Sequence, residues 1–325
     1  MTDQWTRKRQ ILALLSDTTE AVSGFVSGER IAEALGISRA AVSKHIDALE
    51  ALGVGVYSVK GKGYKLESPV SLIDESALVA GIDNRCFYFD ETDSTNGFML
   101  AHAAELVSGD ICVAEYQSAG RGRRGRTWVS PYGNHLYCSL FWRFNQGMAQ
   151  AMGLSLVVGC SLVEVLTRFG VTNIGVKWPN DIYLDHKKLA GILVEMSGQA
   201  DSECNLVIGI GINMSMSAAQ ADRIDQPWSD LSTLETMPNK TELMIALQKQ
   251  LKVDLQLFEK QGLKAFTQRW QAADLFMNQA VKLLMGENVV EGICRGIDDQ
   301  GALLLENANG VTAYVGGEIS LRLQA

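Results

Sequence analysis

Apolar positions follow three successive patterns of spacing along the 325 residues of the chain. In residues 1–66 they recur at helical intervals. Ile11, Leu12, Leu14 and Leu15 predict a first amphipathic helix, and Ile31, Ala34 and Leu35 a second. Gly36-Ile37 interrupts that run, and Ser38 is a suitable N-cap for a third helix. The third helix places Val42, Ile46 and Leu49 on one face and Arg39, Ser43 and Lys44 on the other. Two short helices joined by a tight glycine-containing turn follow the helix-turn-helix plan. Residues 54–59 and 63–66 then read as strands around the basic tip Lys60-Gly61-Lys62.

Residues 67–74 read as a linker. From 75 to 274 the pattern mixes strands, at 86–90, 110–117, 136–143, 188–196 and 204–213, with helices at 94–106, 148–169 and 240–260. That alternation predicts a mixed sheet with helices packed on it. Residues 275–325 carry short β runs between turns at 285–288, 298–301 and 307–310, as expected of a small barrel. The class is α+β, in three domains.

With 47% apolar and 20% charged residues, the chain can bury a real core. The formal net charge is -8, yet residues 1–66 hold nine Lys/Arg against seven Asp/Glu. A basic head on an acidic body points to an anionic partner for the head alone. The six cysteines, at 86, 112, 138, 160, 204 and 294, show no C-x-x-C spacing. No metal site is expected from them, and scattered thiols suit a reducing cytoplasm. The polar N-terminus resembles no signal peptide. The longest apolar stretch, 151–163, is too short to span a membrane.

The most informative segment runs from Gly120 to Trp128, G-R-G-R-R-G-R-T-W. It matches G-x-G-x-x-G formally, but Pro131 falls where a crossover helix should run, and no acidic residue follows at the ribose-binding distance. Four arginines in six residues repel one another without an anion. The loop is expected to be disordered when empty and to close over a phosphate-bearing ligand; a solvated basic loop is the plainer alternative. Trp128 could stack on a base or serve as core. Lys177-Trp178-Pro179-Asn180-Asp181, then Lys188-Leu189-Ala190-Gly191, supply polar groups between strands and a lysine expected at the edge of the sheet. That lysine pairs with an anion or is merely solvated. Asp93-Ser94-Thr95-Asn96 sits at a strand-to-helix junction, where it caps the helix or binds a small polar ligand head, and Gln117 can join it. No P-loop is present.

Together these segments, with Gly209-Ile210-Gly211-Ile212-Asn213 and Gly316-Gly317-Glu318-Ile319-Ser320, resemble the bifunctional biotin–protein ligases of bacteria that double as biotin operon repressors. The resemblance covers essentially the whole chain. It implies a winged helix-turn-helix head, a central biotin/lipoate-ligase domain related to class II synthetases, and an SH3-like barrel. It implies that Ser94, Thr95, Asn96, Gln117, Arg121, Gly122, Arg123 and Lys188 hold biotin. Trp128, Asn180 and Asn213 would lie at the adenylate, and Lys188, Arg123 and Asp181 would serve catalysis. Ser38, Arg39, Ser43, Lys44, Lys60 and Lys62 would meet DNA. One departure exists: where the family has G-x-N-L-Y, this chain reads Gly133-Asn134-His135-Leu136-Tyr137, and no ligand contact is assigned to Asn134 or His135.

The implied reaction uses ATP and Mg2+ to activate biotin as biotinyl-5'-AMP, which is then transferred to a lysine of the biotin carboxyl carrier protein of acetyl-CoA carboxylase. The same adenylate, as corepressor, would favour a homodimer that binds the operator of the biotin operon. Two other readings are a biotin-sensing repressor without catalysis and a lipoate-class ligase. Biotin-dependent release of pyrophosphate separates the first from a ligase, and competition between the two acids separates the second.

Overall fold

The computed structural model describes residues 3–17, 24–145, 147, 151–198, 203–217, 220, 222–224, 226–316 and 319–323. Gly317-Glu318 of the tail motif and residues 148–150 of the expected helix lie outside them.

The head consists of α1 (Asp3–Ser16), α2 (Gly28–Leu35) and α3 (Arg39–Ala51), followed by the hairpin β1 (Val56–Val59) and β2 (Gly63–Leu66). Its core is Ile11, Leu12, Leu15, Ile31, Val42, Ile46 and Leu49. In α2 the buried partner of Ile31 is Ala32; Ala34 is exposed, because the helix is only two turns long and turns its one-residue neighbour inward. Gly36 ends α2 in the left-handed region, at φ 62, where a side chain is strained. Ser38 caps α3 by accepting from the Ala41 N–H at 3.1 Å. Arg39, Ser43, Lys44, Lys60 and Lys62 are all exposed.

After α4 (Glu75–Gly81), a seven-stranded sheet forms in the order β3-β4-β5-β9-β8-β7-β6. The strands are β3 (Cys86–Phe89), β4 (Ile111–Ala114), β5 (His135–Phe144), β6 (Ile174–Lys177), β7 (Asp181–Leu184), β8 (Lys187–Gly198) and β9 (Cys204–Asn213). Only β3 and β4 are parallel. The four-residue strands β6 and β7 were not expected from the sequence. β8 is therefore an inner strand; Lys188, its second residue, pairs with Tyr183 of β7 on one side and bridges Trp228 on the other, before the pairing with β9 begins at Ala190.

One face of the sheet buries Leu136, Leu140, Ile192, Ile208, Ile210 and Ile212 against α6 (Leu154–Arg168), α7 (Lys240–Gln261) and α8 (Thr267–Ala273). Among the described residues the other face carries one short helix, α5 (Thr95–Ala101), packed on Phe141 and Val207. That face is left open beside α5, and the site lies there.

The C-terminal strands β10 (Ala280–Met285), β11 (Asn288–Ile297), β12 (Leu303–Asn307), β13 (Gly310–Tyr314) and β14 (Ile319–Leu323) form an antiparallel sheet in the order β13-β12-β11-β10-β14. Its inner residues Val281, Leu283, Leu303 and Leu321 join the main core, and Trp178 Nε1 donates to Gly301 O at 3.1 Å. The last sheet is thus fixed to the rim of the site.

Candidate functional site

The floor of the site follows from alternation along β9. Ile208, Ile210 and Ile212 point into the core, so Gly209 and Gly211 face the other way. Gly211 pairs with Gly191 of β8, and together they form a strip without side chains. Trp128 lies on it: a Cβ at Gly211 would meet the indole at 2.5 Å, and one at Gly191 at 2.9 Å. The Trp128 Nε1–H is buried and has no acceptor among the described residues. A Cβ at Gly209 would strike Asn96 Oδ1 at 2.3 Å. The floor must therefore be glycine for Asn96 and Trp128 to sit where they do.

One wall is a run of hydrogen bonds around the start of α5. Ser94 caps the helix, accepting from Gly97 N at 3.3 Å. Gln117 Oε1 accepts from the Thr95 N–H at 2.9 Å and from the Thr95 hydroxyl at 3.2 Å. Ser139 Oγ lies 2.7 Å from Thr95 Oγ1 and donates to Asn96 Oδ1 at 2.5 Å. Asn96 Nδ2 donates to Glu195 Oε2 at 2.7 Å, and the same oxygen receives Arg121 at 2.9 Å. At the far end, Gln117 Nε2 donates to Ser130 Oγ at 3.0 Å, which donates to Trp128 O at 3.0 Å. Both ends of the arginine loop are thereby tied to the wall.

The loop is folded back on itself. Gly122 N–H donates to Arg126 O at 2.7 Å, Arg121 and Thr127 form a bridge, and Arg123–Gly125 make one 3-10 turn. No helix follows it before β5, so the dinucleotide reading is rejected by structure as well as by sequence. Arg121 has Glu195 and Arg123 has Asn180, at 2.8 Å, to offset the mutual repulsion of the cations.

The other wall is cationic. Lys188 pairs with Asp181 at 2.8 Å and lies 5.6 Å from the centre of the Trp128 ring. Asn180, bonded to Arg123, also donates to Ile192 O at 2.9 Å. Lys177 and Arg322 line the same pocket, the latter from β14. Burial, then the nearby Arg322, brings the Lys177 ammonium down to about 8; it donates to the Tyr183 hydroxyl at 2.8 Å. Asp181 is the one carboxylate among the described residues lining this pocket. Seven basic side chains therefore line the pocket against one acidic group, an arrangement suited to polyanions.

The structure brings Ser94, Thr95, Asn96, Gln117, Arg121, Gly122, Arg123, Trp128, Asn180, Asp181 and Lys188 around one pocket. Asn213 is not among its lining residues. Its side chain donates to Ser229 O at 3.1 Å and to Lys188 O at 3.4 Å, tying down the start of β8. Asn134 and His135 are buried and hold backbone groups of Ser215 and Met214. Sequence reasoning named Lys177 only as part of its motif, without a role, and did not single out Ser139, Glu195 or Arg322. Only the alternation of Gly with Ile along 208–212 pointed to the floor.

Residues 88–213 match the Biotin/lipoate A/B protein ligase family, residues 7–65 an HTH domain, and residues 276–322 the Biotin protein ligase C terminal domain. The chain is 46% identical over 314 residues to the "Bifunctional ligase/repressor BirA" of Escherichia coli, with 96% of each chain covered. It is 31% identical to the protein of the same name from Bacillus spizizenii, covering 97% of this chain and 99% of that one. Among solved structures, the biotin protein ligase of Aquifex aeolicus in complex with biotin and ATP superposes with a TM-score of 0.63 at 28% identity, over 74% of this chain and 99% of that chain. With the head, the catalytic sheet and the C-terminal domain all matched in order, the chain belongs to the family of bifunctional biotin–protein ligase/repressors.

Proposed function

We propose that this chain is an ATP-dependent biotin–protein ligase that forms biotinyl-5'-AMP, passes biotin to a lysine of a biotin carboxyl carrier protein, and represses transcription when loaded with the adenylate. The observation that carries this reading is the single pocket in which an amide-and-hydroxyl wall faces a cationic wall across a glycine floor. Biotin has a polar ureido ring at one end and a carboxylate at the other. Ser94, Thr95, Asn96 and Gln117 suit the ring, with the backbone of Arg121–Arg123 closing over the body of the ligand. Trp128 suits the adenine end, where its N–H lacks an acceptor.

The chemistry follows from charge. The biotin carboxylate attacks the α-phosphorus of ATP, and pyrophosphate leaves. Lys188, Arg123, Lys177 and Arg322 offset the repulsion between the two anions. Mg2+, when bound, would supply further positive charge to the triphosphate, and Asp181, the one carboxylate among the described residues lining the pocket, would help to hold it. The folded arginine loop keeps water from the mixed anhydride. The amine of the acceptor lysine then attacks the acyl carbon, AMP leaves, and Asp181 positions the amine. Asn180 holds Arg123 in place.

Beyond Gly191, β8 pairs with no strand on its β7 side among the described residues, so residues 193–198 present an open edge. Pairing of two such edges would give the homodimer, and the acceptor protein would compete for the same edge. The dimer would offer two heads, with Arg39, Ser43 and Lys44 in the major groove and Lys60 and Lys62 on phosphates. The domain limits 1–66, 75–274 and 275–325, and closure of the last sheet as an SH3-like barrel, belong to the same reading. No helix among the described residues is long and apolar enough to cross a membrane.

The test is mass spectrometry of a biotin-carrier domain after incubation with the protein, biotin and Mg-ATP. One added biotin on one lysine is expected; an unmodified carrier domain contradicts the ligase reading.

A further inference from the structure

The head is joined to the body by more than its linker. The joint is α1, a helix outside the α2–α3 pair. Trp5 stacks on Tyr132 of the body, with ring centres 5.2 Å apart and planes 18° from parallel. Arg9 Nε donates to Asp90 Oδ1 at 2.8 Å, and the Tyr132 hydroxyl donates to the same oxygen at 2.8 Å. The Arg9 guanidinium also donates to the Tyr88 hydroxyl. Tyr88 continues inward to Glu115 at 3.0 Å, and Glu115 receives the buried Lys240 ammonium at 2.6 Å.

The apolar packing tells the same story. Tyr132 is fully buried as a member of the head's own cluster, beside residues such as Ile11, Leu49 and Val54. Its N–H donates to Leu52 O at 3.0 Å, and Gln220 Nε2 donates to Gly53 O at 3.2 Å. The core of the head is thus completed by a residue of the body. Domains tethered by a linker alone are expected to move against each other; a shared core with the part-buried Arg9–Asp90 ion pair opposes that motion.

We propose that this cluster is a clamp holding the head in one pose on the body, which makes Arg9 a positioning residue for operator recognition. The inference rests on the repressor reading above. In a dimer of clamped protomers, the distance and angle between the two α3 helices are set by protein and not by DNA. Each base pair inserted between half-sites moves them about 3.4 Å apart and rotates them by about 34°. Clamped heads cannot follow such a change, whereas released heads can.

The experiment uses the full chain loaded with biotin and Mg-ATP, and a duplex selected by the wild-type protein from a randomised pool. Binding is measured on that duplex and on one with two base pairs inserted between the half-sites. Wild type should lose about a hundredfold in affinity on the longer duplex. Arg9→Leu should bind the selected duplex about tenfold more weakly but lose only a few-fold more on the longer one. Tyr132→Phe keeps the stack and removes one hydroxyl, so it should fall between the two even if Arg9→Leu folds poorly. Biotin transfer to the carrier domain should stay within about twofold in both variants. Variants that discriminate between the two spacings as sharply as wild type would overturn the clamp. A wild-type protein that selects no duplex would overturn the repressor reading and the clamp with it, whereas the first result leaves the repressor reading standing.

Discussion

The two working surfaces of this chain are built in opposite ways. In the head, Arg39, Ser43, Lys44, Lys60 and Lys62 stand exposed on a helix and a hairpin that need only local sequence to form. In the pocket, almost every polar side chain is already bonded to another: Thr95 to Gln117, Asn96 to Glu195, Arg123 to Asn180, Lys188 to Asp181. The difference matches the tasks. A phosphate backbone is bound by mobile cations that displace counterions. An anhydride must be formed where charges are set beforehand and water is kept out.

If this contrast is real, damage in the pocket should be severe and damage in the head should be confined to DNA. Lys188→Ala is expected to have the largest effect. It removes a cation and takes the ion-pair partner from the half-buried Asp181, and biotin-dependent pyrophosphate release should fall by about 10²–10³-fold. Near-normal release in that variant would strip Lys188 of its role. Arg39→Ala combined with Lys44→Ala should weaken operator binding by about 10–100-fold in a mobility-shift titration, while biotin transfer keeps its wild-type rate. Gly211→Val places a side chain where Trp128 lies. It should raise KM for ATP by about tenfold and lower stability by about 1–3 kcal/mol, measured by steady-state kinetics and urea unfolding.

The smallest effect is a pH dependence. Burial and Arg322 hold Lys177 at about 8, so its charge is present below that pH and is lost as pH rises through it. A triphosphate loses an attraction in the same interval. Hence kcat/KM for ATP should decline a few-fold above pH about 8. Lys177→Met should start lower and lack that decline.

The head was legible because its signals are local: helical spacing, the Ser38 cap, Gly36 in the left-handed region and the Lys60–Lys62 tip all lie within 66 residues. The long strands β5, β8 and β9 were legible for the same reason. The short strands β6 and β7 were not, since four residues around Pro179 give too little periodicity. Half of the pocket was legible from motif chemistry. The remainder depends on contacts that no local pattern encodes. Glu195 reaches Arg121 across 74 positions, and Arg322 arrives from the last strand of another sheet. Asn213 illustrates the converse. It belongs to a glycine-rich motif that lines the pocket, yet its amide serves the backbone at Ser229 and Lys188.

One preset pocket should form biotinyl-5'-AMP without help from an acceptor protein. Exchange of labelled pyrophosphate into ATP, with no carrier domain present, is the decisive measurement. Exchange should require biotin and should not be supported by lipoate. Absence of exchange, or equal exchange with either acid, would contradict it.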